Sequence, residues 1–202
     1  MRAAALGVIV ITACIVSANV RAGSARDGTA SQCSNVLSDL KTLADRRRDL
    51  VYFRPRPTTI IALNKREMPH PTPSLRARGF ERHVWRVVAQ ITDYRRDADG
   101  NIRLILFDQS AYMIAALPSP RCLSPTTRDR SAIVAARKLF ETRCGTASIG
   151  WRKLGAVVHV EGVGLWNVPH GQRGHARNYA ELHPVTRLRF VAGCEAGTLR
   201  PG

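Results

Sequence analysis

The sequence predicts a mainly β fold with one long helix: an OB-like (oligonucleotide/oligosaccharide-binding) five-stranded barrel behind an N-terminal extension. Three observations carry that expectation. Three β-patterned runs follow one another across tight turns, one amphipathic run with helical spacing comes next, and two more β-patterned runs close the chain. Strands one to three, a helix, then strands four and five is the order of that partly open Greek-key barrel.

Taken in order, residues 1–22 have the layout of a secretory signal peptide. Arg2 precedes an apolar run from Ala3 to Ala18, and small residues lead to a cut after Ala22, with Ala25 the second choice. Ile11-Thr12-Ala13-Cys14 offers the rival layout of a lipobox, which would anchor the protein through a lipidated Cys14. Either way the mature chain is expected to be exported, periplasmic or extracellular. The apolar run is shorter than the roughly 20 residues a membrane span needs. Residues 23–78 form the extension, whose start to Ser34 is small and polar. Val36, Leu37, Leu40 and Leu43 then predict a short helix capped by Ser34 or Asn35. Arg54-Pro55-Arg56-Pro57 breaks it, Thr58–Leu63 is β-branched and predicts a strand, and Met68–Ser74, with three prolines, predicts an extended strap.

Residues 79–192 are the expected barrel. His83–Tyr94 alternates, with Trp85, Val87, Ala89 and Ile91 on the apolar face. Asp97-Ala98-Asp99-Gly100-Asn101 predicts a hairpin turn, Ile102–Phe107 the return strand, and Tyr112–Leu117 the third strand, stopped by Pro118 and Pro120. The long helix starts at Thr126, Thr127 or Asp129, presents Ile133, Ala136, Arg137 and Phe140 on one side, and stops at Cys144-Gly145. Ala156–Val163 and Val185–Val191 are strands four and five, and residues 193–202 form a tail.

The formal charge is +16, with 31 Lys and Arg against 15 Asp and Glu. Such a balance favours anionic partners, nucleic acid or acidic polysaccharide, or a membrane surface. Only Lys41, Lys65, Lys138 and Lys153 are lysines, an arginine skew that a GC-rich coding sequence also produces. Setting Cys14 aside leaves Cys33, Cys122, Cys144 and Cys194, which in an oxidising compartment make two disulfides in one of three pairings. They show no metal-binding CxxC spacing.

Several stretches recur in order: Thr92-Asp93-Tyr94, Leu117-Pro118-Ser119-Pro120-Arg121-Cys122, Val160-Glu161-Gly162-Val163-Gly164, His170-Gly171-Gln172, Gly174, Asn178 and Glu181-Leu182-His183-Pro184-Val185. Together they resemble a group of uncharacterised exported bacterial proteins, over about Lys41 to Phe190. The resemblance implies no activity, cofactor or partner. It departs in one hairpin strand, where an acid and a histidine are replaced by Asn101 and Arg103.

The least bland region is the stretch from Leu154 to Phe190, a strand, a Gly- and His-rich loop, and a second strand. It predicts a ligand-binding mouth made by Trp166, His170, Arg173, Arg177 and Asn178, with Trp166 the exposed stacking residue among Trp85, Trp151, Trp166 and Tyr112. An alternative gathers Glu161, His170, Glu181 and His183, with His159 and His175 nearby, around a divalent metal ion in a secreted nuclease or phosphodiesterase. Against it, no HExxH or GxSxG motif occurs and no spacing picks a triad. The expectation is a non-catalytic binding module without a cofactor. The metal-dependent enzyme and a purely structural envelope module are the alternatives, and Gly162, Gly164, Gly171 and Gly174 are expected to make turns.

Overall fold

The computed structural model describes Cys33 and residues 37–109 and 111–194. The expected signal peptide, Cys14, the helix cap at Ser34 or Asn35, and all of the tail beyond Cys194 lie outside the described residues. The chain is mainly β, with few helices. Six strands form one mixed sheet: β1 (Tyr52–Pro57), β2 (His83–Arg96), β3 (Ile102–Asp108), β4 (Ala111–Leu117), β5 (Arg152–Trp166) and β6 (Ala180–Ala192). The order is β1-β2-β3-β4-β6-β5, and β5 also pairs with β2, so β2 to β6 close into a ring. The ring is antiparallel except at β4–β6, where Ile114 faces Glu181 and Ala115 faces Leu182 in parallel.

β2 serves two neighbours because it is long and bends. Its register shifts between Ile91 and Asp93 against both β3 and β5, and such a bulge sharpens the local twist that closure requires. The alternation seen in the sequence places Trp85, Val87, Ala89 and Ile91 inside the ring, where they meet Leu104, Leu106, Met113, Val158, Val160 and Leu182. Each large aliphatic or aromatic side chain fully buried this way contributes about 1.5–3 kcal/mol. Gly162, expected at a turn, lies within β5, and a Cβ there would come 2.9 Å from Leu182 Cβ. Its missing side chain lets β5 and β6 approach.

The helix between β4 and β5 runs Arg130–Cys144, with Asp129 before it and Gly145 at φ 83 after it. Ile133, Ala136, Arg137, Phe140 and Cys144 form its buried side, as the spacing predicts. Arg137 is inside because it donates to the carbonyls of Gly100, Leu117 and Pro118 at 2.8, 3.2 and 3.3 Å and pairs with Glu141 at 3.0 Å. Of the three possible disulfide pairings the structure has Cys33–Cys122 and Cys144–Cys194. The second ties the end of this helix to the end of β6.

The extension differs from expectation in three places. Thr58–Leu63 is not a strand: Ile60–Asn64 is a short helix, because Thr59 Oγ1 accepts from Ala62 N at 3.1 Å and caps it. Local capping outweighs the weak β preference of a short β-branched run. Arg54-Pro55-Arg56-Pro57 is not a break but most of β1, a sixth strand parallel to β2 at the sheet edge, where proline is tolerated. Among the described residues the helix expected around Val36 to Leu43 covers only Ser38–Lys41. A fully buried arginine holds the extension down: Arg76 donates to Asp45 Oδ2, to Leu40 O and to Glu81 O, at 2.7–3.2 Å. Among the described residues no helix is long and apolar enough to cross a membrane.

Candidate binding groove beside the 167–179 loop

The loop between β5 and β6 is stitched down at both ends. Asn178 Nδ2 donates to the carbonyls of Leu63 and Arg66 at 2.9 and 2.8 Å, fastening the loop to the Ile60–Asn64 helix. Gly174, at φ 75, lies so close to β3 that a Cβ would stand 2.5 Å from Ile105 Cγ2. Behind the loop, fully buried Glu181 accepts from Asn167 Nδ2 at 2.8 Å and from His170 Nε2 at 3.3 Å, while His183 Nδ1 is 3.6 Å away. Gln172 N donates to His170 Nδ1 at 3.3 Å, which leaves the proton on Nε2, facing the carboxylate. Burial pushes the Glu181 carboxyl up, but contacts from His170 and His183, and the Asn167 amide, outweigh it and hold it well below the usual carboxylate range. Burial pushes the His183 imidazole down, against the opposing pull of the adjacent Glu181 carboxylate.

The predicted residues take the following places. His170 and Asn178 are tethers of the loop. Arg173 reaches Asp93 at 3.2 Å. Trp166 is not the exposed stacking residue: it is 2 % exposed and packs 4.6 Å from Phe80, because β5 continues as far as Trp166 itself. Trp85 is buried with them, and Trp151 lies under Arg95 at 4.7 Å. Of those four candidate stacking residues the exposed one is Tyr112, 45 % open, against Phe107 at 4.7 Å.

Of the four residues proposed to hold a metal, His170, Glu181 and His183 converge, but Glu161 does not join them. It sits on the outer side of β5, paired with Arg86 at 2.7 Å and Arg187 at 3.9 Å. Among the described residues no group of three or more His, Cys, Asp or Glu side chains could hold a metal ion. Lys41 and Arg103 line the same small polar pocket as Glu181 and His183 and add positive charge there. Burial pushes the Lys41 ammonium down, while Glu181 and Asp99 counter that. Asn101 and Arg103 brace the hairpin turn: Asn101 bonds Asp99 and Ser119 N, and Arg103 pairs with Asp97 at 2.6 Å.

A groove of about 410 Å³ opens beside the loop. Ile61, Asn64 and Lys65 form one wall, Ala111 and Tyr112 the floor, and His175 and Arg177 the other wall. Asn64 Nδ2 donates to Tyr112 O at 3.2 Å, and His175 stacks on Tyr179 at 5.1 Å, so both walls are braced. Of the predicted mouth residues Arg177 alone lines this groove. Tyr112, Lys65 and His175 escaped notice as its partners because they come from three separate segments that only the closed ring brings together.

No protein-family model matches the chain, and no curated protein does. Among solved structures, one alignment covers 71% of this chain and 22% of a Leishmania major Friedlin protein described as an aspartyl-tRNA synthetase, at 13% identity and a TM-score of 0.41. Another covers 58% of this chain and 22% of the Entamoeba histolytica asparaginyl-tRNA synthetase, in complex with asparaginyl-adenylate, at 15% identity and a TM-score of 0.35. The chain thus spans a minor part of either protein. Likeness at these scores supports neither a fold nor a function for this chain.

Proposed function

We propose that this chain is a non-catalytic, exported, OB-like binding module for an anionic polymer, with single-stranded nucleic acid the form its groove suits best. The ring order β2-β3-β4-β6-β5, with the Arg130–Cys144 helix between β4 and β5, supports the OB-like assignment. Two disulfides support an oxidising compartment. The observation that carries the binding assignment is Tyr112: an exposed ring on the floor of a groove whose walls bear Lys65 and Arg177. A flat aromatic flanked by cations offers a base a stacking surface and its phosphate a counter-charge.

Base–aromatic stacking is worth about 1–3 kcal/mol per base. Tyr112→Ala therefore weakens binding of a fluorescent single-stranded oligonucleotide by at least about fivefold in an anisotropy titration, and Arg177→Gln weakens it less and mainly at low salt. Equal affinity of wild type and both variants refutes the groove as the binding site. A sulfated polysaccharide that binds while the oligonucleotide does not refutes the choice of polymer.

A further inference from the structure

On the outer face of β2, β5 and β6, two cross-strand rows carry charge. Arg86, Glu161 and Arg187 face one another in the first, and Val88, His159 and Arg189 in the second. Strand periodicity puts both rows on one face and about 7 Å apart along the strands. Arg86, His159, Glu161, Arg187 and Arg189 line an open depression of about 250 Å³ that shares no residue with the Tyr112 groove.

The charges there do not balance. The single carboxylate, Glu161, is held by Arg86 Nε at 2.8 Å and Nη2 at 2.7 Å. Arg187 reaches it only at 3.9 Å and keeps a side chain 75 % exposed. Among the described residues Arg189 pairs with no carboxylate and instead donates to His159 Nε2 at 2.5 Å. Slight burial pushes the His159 imidazole down, and the neighbouring Arg189 and Arg86 charges push it further, so the ring is a neutral acceptor and brings no positive charge of its own. Two guanidiniums two residues apart on one strand, with the one nearby carboxylate already engaged by Arg86, repel one another. Such a face is eased by an anion. Its exposed rim is Val88 and Val191, with no aromatic residue among the lining side chains.

We propose that this face is a second nucleic-acid contact, a phosphate-binding ladder on which Arg187 and Arg189 take neighbouring phosphates of the backbone. The identification of the polymer rests on the proposed function above; the place of contact does not. Guanidinium forks match phosphate oxygens bidentately. The spacing of the two rows suits successive phosphates of an extended strand, and without a ring to stack on the contact is independent of sequence. Glu161 is the competing anion of the site, occupying Arg86 until a phosphate arrives.

The test titrates the full chain with a labelled single-stranded oligonucleotide across a salt series. Arg187→Gln/Arg189→Gln is expected to lower affinity about tenfold and to make the slope of log K against log salt less negative by about 1.4, two phosphates at about 0.7 each. Glu161→Gln is expected to raise affinity several-fold, a gain that misfolding cannot imitate. His159 ring signals of the wild type shift as oligonucleotide is added. Wild-type affinity and slope in both variants, or unmoved His159 signals under saturation, overturns the ladder. Loss in Tyr112→Ala with no effect of the ladder variants leaves the groove standing and refutes this inference; the converse refutes the groove alone.

Discussion

Arg76→Met is the substitution whose cost the structure specifies best. The guanidinium is fully buried and gives two hydrogen bonds to Asp45 Oδ2, at 3.2 and 2.7 Å, one to Glu81 O at 3.0 Å and one to Leu40 O at 2.9 Å. Asp45 is itself 6 % exposed, so methionine would strand a buried carboxylate and two carbonyls. Breaking a buried ion pair from one side costs about 3–5 kcal/mol. For a chain of this size that is a fall in Tm on the order of 10 °C. Urea unfolding of the disulfide-intact protein is the assay, and the m-value should stay constant while the midpoint drops. Adding Asp45→Asn removes the stranded charge, and the double variant should recover part of the loss. An Arg76→Met protein within about 1 kcal/mol of wild type, or a double variant less stable than the single, would refute the claim that this pair locks the two halves of the extension together.

Three further outcomes follow from the site. Glu181 has its carboxyl held below the ordinary value, so its contribution is fully present above the unfolded value near 4.3 and is lost as pH falls toward the lower folded value. Glu181→Gln should lower stability at neutral pH and flatten the acid limb of the stability–pH curve; an acid limb as steep as wild type's contradicts this. Gly174→Ala forces a Cβ against Ile105 at a positive φ and should lift the loop, seen as faster amide exchange across 167–179 with β2 and β5 unchanged. Replacing both Cys144 and Cys194 by alanine, a bridge spanning 50 residues, should cost about 2–5 kcal/mol in the same urea assay, and a loss below 1 kcal/mol would show that it staples little.

The ring strands and the long helix were legible because their hydrophobic periods are uninterrupted: Trp85 to Ile91 alternates, and Ile133, Ala136, Phe140 and Cys144 recur at helical spacing. The extension was not, since one hydroxyl, Thr59, decides a helix that β-branched residues argue against. Trp166 misled because a polar, Gly- and His-rich loop follows it, while its cover, Phe80, comes from 86 positions earlier. The arginines of the outer ladder read as scattered along the chain; they are neighbours only through the β2–β5 and β5–β6 registers. Charge summed over a sequence carries no such pairing. Tyr112 was visible as an aromatic residue, but its exposure depends on where the 167–179 loop and the Ile60–Asn64 helix settle around it.

The most direct test of the groove is to map the bound polymer by NMR, following side-chain signals of Tyr112, His175 and Arg177 while a single-stranded oligonucleotide is added to the full chain. Saturable shifts of all three, with the Trp166 indole unmoved, are the predicted result. Saturable binding that leaves Tyr112 and Arg177 unshifted would contradict the account.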